Sequence, residues 1–423
     1  MKALVVGAAV SGRAARRLLL NDGHDVVVYD AAPEAVAGLE AGVSGDWDPA
    51  FLDGVHLTVV SPGVPQHAPP IRDSAGAGIP VWSEVELAAR RLTVPYGAVT
   101  ATNGKTTITE AAAAMLVASG VKAEPVGNIG SPLSDAVGGD HEVLVVEVSS
   151  FQLRFIDEFH PVAAVLLNVA PDHLDWHGSY EDYLAAKRRI HLRQGPGDLL
   201  VYDGDDPGAA QAVAGARADI RPVSGLRRMA GGGPDGPVLW MDDAAVEIGD
   251  LAGRDPALLV DLAAAGCLAR RLGADPAGVA EAARDFVPGR HRREEIGEWD
   301  GVLWVNDSKA TNPHAAAAAI RAFPSVVLIA GGRNKGLDVA ALAAEPAVRY
   351  VVGIGEAGPE IVAAADRGST AEGISDAVAL ADGIARRGDT VLLAPGCASF
   401  DQFGSYGERG EAFRAAVLAR KGE

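Results

Sequence analysis

Cysteine is almost missing from this 423-residue chain, which holds only Cys267 and Cys397. They stand far apart and outside any metal or redox spacing. No disulfide framework or thiolate metal centre can therefore organise the fold, neither thiol reads as catalytic, and a reduced, cytoplasmic setting is expected. Positive charge is also scarce: 37 Lys and Arg against 56 Asp and Glu leave a formal net charge of −19. That balance argues against a nucleic acid or an anionic membrane as partner, since either needs a basic face. Any anionic ligand must be met by a local group of cations. Aromatic residues make up 5% of a chain that is 48% hydrophobic, so the interior rests on Ala, Val and Leu. No apolar run approaches the roughly 20 residues of a membrane span. The apolar start, residues 3–10, is broken by Ser11, Gly12, Arg13, Arg16 and Arg17 too early for a secretion signal and reads better as a first strand and a Gly turn. A monomer is expected.

What is present is an α/β rhythm, long enough for two to four domains, in which apolar runs end in polar loops. The central stretch is Thr100-Ala101-Thr102-Asn103-Gly104-Lys105-Thr106-Thr107, between the apolar run 97–100 and the helix-forming run 108–119. A strand that ends in a tight Gly turn and feeds a helix aims free backbone N–H groups and the positive end of the helix dipole at one spot, which suits a phosphate. Lys105 adds a mobile cation, and the Thr106 hydroxyl stands where such loops coordinate Mg²⁺. The strict P-loop pattern fails because Val99 takes the place of its first Gly.

Ahead of that loop, residues 2–6 read as a strand, 7–12 as a turn, 13–21 as a helix and 25–29 as a second strand ending in Asp30, the order of a dinucleotide-fold start. The turn serves equally as a ligand site or as plain structure. The run 55–60 leads into Ser61-Pro62-Gly63-Val64-Pro65, a rigid loop at a strand end, and a first boundary falls near Leu92. Beyond the phosphate loop, Gly127-Asn128-Ile129-Gly130 is a flexible loop, and the run 141–146 delivers Glu147 as a Mg²⁺ ligand, a water-orienting acid or a helix cap. Asp172, His173, Asp175 and His177 cluster after the strand 163–169, as a second metal position or as surface residues. Ser179 and Asp182 cap a helix that carries Lys187, which by itself reads as a solvated cation beside Arg188 and Arg189. Residues 225–250 suggest a Gly-rich hairpin, 257–272 an apolar helix, and 286–293 a linker ending in a basic cluster. Three further runs end in Asn306-Asp307-Ser308-Lys309-Ala310-Thr311-Asn312, in Gly331-Gly332-Arg333-Asn334-Lys335-Gly336 and in Cys397-Ala398-Ser399-Phe400-Asp401-Gln402-Phe403, loops expected to line one site.

Taken in order, Ala-Thr-Asn-Gly-Lys-Thr-Thr, Glu-Val-Ser-Ser-Phe-Gln-Leu, Asn-Val-Ala-Pro-Asp-His-Leu-Asp, Asn-Asp-Ser-Lys-Ala-Thr-Asn and Cys-Ala-Ser-Phe-Asp-Gln-Phe resemble the Mur ligase family over nearly the whole chain. The last two motifs point to the branch that joins D-glutamate to UDP-N-acetylmuramoyl-L-alanine. The resemblance implies an α/β chain of three domains: a Rossmann-like domain at 1–92 for the UDP-sugar, a central P-loop-type ATPase domain at 93–287, and a Rossmann-like domain at 288–423 for glutamate. It implies an ATP-dependent, Mg²⁺-requiring ligase of peptidoglycan precursors that works through an acyl phosphate. Lys105, Glu147, His173 and Lys187 would be catalytic. ATP would meet Thr102, Asn103, Gly104, Lys105, Thr106, Thr107, Arg292, Asp307 and Lys309. Thr106, Glu147, His173 and a carbamylated Lys187 would serve Mg²⁺. Ser11, Asp30, Gly63, Asn128 and His173 would meet the UDP-sugar, and Thr311, Lys335, Ser399 and Tyr406 the glutamate. The neighbouring alternative is a related ligase that adds L-glutamate or acts on a folate. A dinucleotide-dependent oxidoreductase would leave the phosphate loop and Glu147 without a role.

The chain departs from the family pattern in three places. Ala101 and Ala9 each replace a Gly, and a positive φ at Ala101 would cost roughly 1 kcal/mol. Where the family usually shows Gly-x-His-Asn-x-x-Asn, this chain has Gly253-Arg254-Asp255-Pro256-Ala257-Leu258-Leu259, without the Asn that commonly meets adenine.

Overall fold

A computed structural model describes residues 1–251 and 255–422. It is an α/β structure with three sheets, and the central strands of each are apolar and buried along nearly their whole length. The first sheet is wholly parallel: β1 (Lys2–Val6), β2 (Asp25–Asp30), β3 (Gly42–Ser44), β4 (Val55–Val60) and β5 (Val81–Ser83), in the order β3-β2-β1-β4-β5. The central sheet contains β6 (Tyr96–Thr100), β7 (Ala123–Gly127), β8 (Val143–Glu147), β9 (Ala163–Leu166), β10 (Leu199–Asp203) and β11 (Asp219–Val223). It is extended by β12 (Gly232–Asp235), β13 (Val238–Met241) and β14 (Ala244–Glu247). Its order, β14-β13-β12-β11-β10-β9-β6-β8-β7, is parallel up to the antiparallel pairs at β12-β13-β14, which realise the expected Gly-rich hairpin. The third sheet, β15 (Glu294–Trp299), β16 (Val302–Asn306), β17 (Val326–Gly331), β18 (Val348–Ile354), β19 (Gly368–Thr370) and β20 (Thr390–Leu393), runs β15-β16-β20-β17-β18-β19 and is antiparallel only at β15-β16. In parallel sheets the strand ends converge on one edge, and that edge presents the loops picked out above.

The chain divides into two compact units, Met1–Val169 with Trp176–Phe286, and Ala170–Asp175 with Val287–Glu423. Within the first unit, the helix Glu84–Ala89 fastens the first sheet to the central sheet through buried carboxylates. Glu86 accepts the amides of Asp157, Glu158 and Phe159 at 2.9, 2.9 and 3.0 Å and pairs with Arg90 at 2.6 Å. Glu84 accepts the Ser134 amide at 2.6 Å, and burial pushes its carboxyl up to about 7. Among the described residues no helix is long and apolar enough to cross a membrane.

Three local expectations change. The first helix spans Val10–Asn21 and starts three residues earlier than the run 13–21. Gly7 alone makes the turn at φ 92°, and Gly12 lies inside the helix, where an added Cβ would stand 1.8 Å from the Gly7 carbonyl oxygen. Ala9 has ordinary extended geometry at φ −75°. Ala101 is not among the non-glycine residues with positive φ, so the expected strain does not arise. Of the adenine-region departure, Gly253 and Arg254 lie outside the described residues. Asp255 caps the helix Pro256–Arg271 by accepting the amides of Ala257 and Leu258, with Pro256 at its first turn.

Candidate active site

The phosphate loop is built as the local chemistry dictates. Gly104, at φ 95°, is the N-cap of the helix Lys105–Ala118. A side chain there is excluded twice, by φ and by Asp261, whose Oδ1 would be 2.4 Å from an added Cβ. Asn168 braces the loop: its carbonyl accepts the Thr102 amide at 3.0 Å, and its side chain exchanges bonds with Asn103 N and O at 2.9 and 3.0 Å. Lys105 Nζ donates to the carbonyls of Ala101 at 2.8 Å and Thr102 at 3.1 Å. Lys187 Nζ donates to the same Ala101 oxygen at 2.8 Å and to Thr100 Oγ1 at 3.3 Å.

Lys187 is therefore no surface cation. It is 1% exposed on the helix Tyr180–Arg188, and its Nζ lies 4.8 Å from the centre of the Tyr183 ring. The Tyr183 hydroxyl meets Thr102 Oγ1 at 3.0 Å. Two lysine nitrogens thus share one carbonyl oxygen beside the turn that leads into the helix.

Glu147, at the end of β8 and 2% exposed, accepts Asn128 Nδ2 through Oε1 at 2.9 Å. Its other oxygen, Oε2, is buried with no hydrogen-bond partner, as is the Thr107 hydroxyl. The helix-cap reading of Glu147 does not hold, because Ser149 caps Ser150–Leu153 in a capping box with Gln152. A buried carboxylate oxygen left over beside a phosphate loop fits a hard cation. Among the described residues no group of three or more His, Cys, Asp or Glu side chains could hold a metal.

At the edge of the first sheet, Ser61 Oγ donates to the Gly7 carbonyl at 3.0 Å, and Asp30 accepts the amides of Ala8 and Ala32 at 2.8 and 3.0 Å. Both Asp30 oxygens are thereby engaged in shaping the turn. Ser11 lies in the first turn of the helix Val10–Asn21, and Gly63 faces open space.

In the second unit, Asp172 is the centre. Its Oδ1 accepts Lys335 Nζ at 3.0 Å and the His173 amide at 2.9 Å, and its Oδ2 accepts Asn312 Nδ2 at 3.2 Å. Burial alone would raise the Asp172 carboxyl, but the charges of His173 and Lys335 and the bonds from both outweigh it and hold the group below the usual carboxylate range. His173 has φ 52°, an uncommon left-handed geometry for a side chain that size. Lys309 Nζ lies 5.6 Å from the centre of the Tyr406 ring, and the Thr311 amide donates to the Lys309 carbonyl at 2.8 Å. Asp307 and Ser399 are buried, and Asp307 Oδ1 accepts the Arg293 amide at 3.3 Å. Arg409, buried in the helix Tyr406–Lys421, donates to the carbonyls of Ser308 and Cys397 and so ties two of the three loops together. Burial pushes its guanidinium down to about 10. Both cysteines are likewise pushed up by burial to about 12, in keeping with non-catalytic thiols.

The structure brings Thr102, Lys105 and Lys187 together, pairs Glu147 with Asn128, and gathers His173 and Lys335 at Asp172. Lys187 belongs to the first unit and His173 to the second. Asn168, Asp261 and Arg409 were missed as functional positions. Asp261 left a trace, a single carboxylate inside the apolar run 257–272, whereas nothing local marks Arg409 as buried.

Comparison with known proteins adds the following. Residues 99–224 match the Mur ligase middle domain, and residues 291–397 match the Mur ligase, glutamate ligase domain. The chain is similar to the UDP-N-acetylmuramoylalanine–D-glutamate ligase of Frankia casuarinae, with 46% identity over 99% of this chain and 94% of that protein. It is also similar to the protein of the same name from Shouchella clausii, with 38% identity over 97% and 95%. Among solved structures, a pseudomurein peptide ligase type C from Methanothermus fervidus matches 99% of both chains with a TM-score of 0.64 at 16% identity. The MurF ligase from Thermotoga maritima in complex with ADP matches 99% of this chain and 95% of its own, with a TM-score of 0.60 at 17% identity. At such identities the last two speak for the fold alone.

Proposed function

The chain belongs to the Mur ligase family, and on that premise we propose that it is an ATP-dependent amide ligase joining D-glutamate to the L-alanine carboxylate of UDP-N-acetylmuramoyl-L-alanine. The observation that carries this reading is the 46% identity, over 99% of the chain, to a protein named for that reaction. Residues 1–92 take the UDP-sugar, 93–287 take ATP, and 288–423 take glutamate, in the cytoplasm.

A carboxylate is a poor electrophile until one of its oxygens becomes a phosphate leaving group. The L-alanine carboxylate oxygen forms a bond to the γ-phosphorus of ATP as the bond from that phosphorus to the bridging oxygen breaks, and ADP leaves. The glutamate amine then attacks the acyl carbon, loses a proton, and inorganic phosphate departs. Lys105 and the amides opening the helix Lys105–Ala118 offset the charge on the transferred group. Glu147, through Oε2, and Thr106 would hold Mg²⁺, and Lys187 would be a ligand of a second ion. When bound, Mg²⁺ neutralises the phosphate oxygens and lets two anions approach.

The shared Ala101 oxygen supports a modified Lys187. Two ammonium groups on one acceptor repel each other, and a carbamate on Lys187, formed when its neutral amine bonds to the carbon of CO₂ and a proton is released to water, would turn that repulsion into attraction and supply an anionic ligand. Thr311, Lys335, Ser399 and Tyr406 would orient the glutamate.

The test is phosphate release from ATP, with D-glutamate and L-glutamate in parallel. Release should require the UDP-sugar, Mg²⁺ and an amino acid together and should favour D-glutamate. Equal or faster turnover with L-glutamate would point to the alternative ligase, and no turnover with either would refute the reading.

A further inference from the structure

The loop 61–66 is fastened at both ends, to the edge of the first sheet and to Trp176 and His177. At its start, the Ser61 amide donates to the Val6 carbonyl at 2.9 Å and Ser61 Oγ to the Gly7 carbonyl at 3.0 Å. At its end, Gln66 Nε2 donates to the carbonyls of Trp176 and His177 at 3.2 and 3.1 Å, while Trp176 Nε1 donates to the Val64 carbonyl at 3.2 Å. Gln66 Oε1 accepts Arg154 Nε at 3.2 Å, so its amide is engaged through both its nitrogen and its oxygen.

From there a continuous run of contacts reaches the phosphate loop. His177, 1% exposed, stacks on Phe151 at 5.6 Å, places Nε2 3.0 Å from Ser150 Oγ, and meets the Tyr183 ring at 5.2 Å. Tyr183 in turn bonds Thr102 and lies beneath Lys187. The loop that carries Gly63 and the loop that carries Lys105 are thus spaced by packed rings and hydrogen bonds, with the Gln66 and Trp176 bonds fastening the loop's far end.

We propose that Gln66 and Trp176 are positioning residues for the UDP-sugar, holding the loop 61–66 ordered and in register with the phosphate loop before the substrate arrives. This rests on the reading of that loop as part of the UDP-sugar site. A loop released at one end must be ordered again when the ligand binds, and that cost falls on affinity. It does not fall on the phosphoryl-transfer step, whose groups lie at the other end of the run.

Two variants of the full-length chain test the idea. Gln66→Glu keeps the shape but replaces the donor with an acceptor facing two carbonyls, and Trp176→Phe keeps a ring but removes the N–H. Calorimetric titration with UDP-N-acetylmuramoyl-L-alanine, without turnover, should show affinity reduced about tenfold in each. Steady-state KM for the UDP-sugar should rise by a similar factor, with KM for ATP and for D-glutamate within twofold of the unaltered protein and kcat reduced less than threefold. Unchanged UDP-sugar affinity in the variants overturns the proposal, as does a uniform change in all three KM values with a collapse of kcat, which would mark a merely structural contact. Should Gln66→Glu fail to fold, Trp176→Phe carries the test. An unaltered protein that does not bind the UDP-sugar refutes the functional reading itself, which separates the two failures.

Discussion

In the first unit, Lys105 and Lys187 rest on backbone carbonyls around Ala101, and the nearby Glu147 keeps one buried oxygen unused. In the second unit, Lys335 is bonded to a carboxylate, Asp172, which Asn312 and the His173 amide also hold. A carbonyl orients a cation, whereas a carboxylate also cancels much of its charge. In the proposed reaction, the carbonyls around Ala101 would orient the two lysines where charge grows during phosphoryl transfer. A ligand of the second-unit loops, as proposed, would have to compete with the Lys335–Asp172 ion pair, which favours orientation and discrimination over raw attraction.

The sharpest break in that contrast would come at Lys187. Lys187→Ala should leave activity about a thousandfold lower, with partial recovery when a short carboxylate such as acetate is supplied, since removal of a metal-holding anion costs transition-state stabilisation that a small carboxylate can replace. Full activity of the variant in a phosphate-release assay would return Lys187 to a structural role. Next, Lys105→Ala and Glu147→Ala should each reduce kcat about a hundredfold or more. The double variant should fall short of the product of the two effects, because both act on one phosphate group. Strictly multiplicative losses would separate them.

A smaller effect is expected in the second unit. Asp172→Asn should lower stability by about 2 kcal/mol at neutral pH by leaving Lys335 without its counter-charge. Because the folded-state carboxyl of Asp172 is held below its unfolded value, its contribution is complete above about pH 4 and is lost as the pH falls through the lower folded value. Melting curves of the two proteins should therefore stay apart from pH 5 to 8 and converge in acid. A gap that closes near pH 7 would contradict the ion pair. The smallest effect concerns Ala101→Gly. With no positive φ to relieve, the change should cost about 0.5 to 1 kcal/mol by loosening the unfolded chain, and a gain in melting temperature would show hidden strain.

The sequence by itself determined the α/β rhythm, the strand ends at which polar loops sit, and the positions of Lys105 and Glu147. Those follow from short-range causes: apolar period, a Gly that alone tolerates φ 95°, and helix caps such as Ser179 and Asn312, whose partners lie three residues away. It did not determine where the first helix begins, because Gly7 and Gly12 look alike in sequence and only packing shows that one turns while the other admits a close carbonyl. Nor did it reveal that Lys187 is buried, since a lysine followed by two arginines reads as a solvated face until the helix Tyr180–Arg188 is seen to bury it above Tyr183. The Asp172–Lys335 bond, the fastening of Gln66 to Trp176 and His177, and the shared oxygen of Ala101 were likewise decided by tertiary structure. Each joins groups distant in the chain, and the partner of a charge or an amide is set by which segments pack together, a long-range outcome that no local pattern encodes.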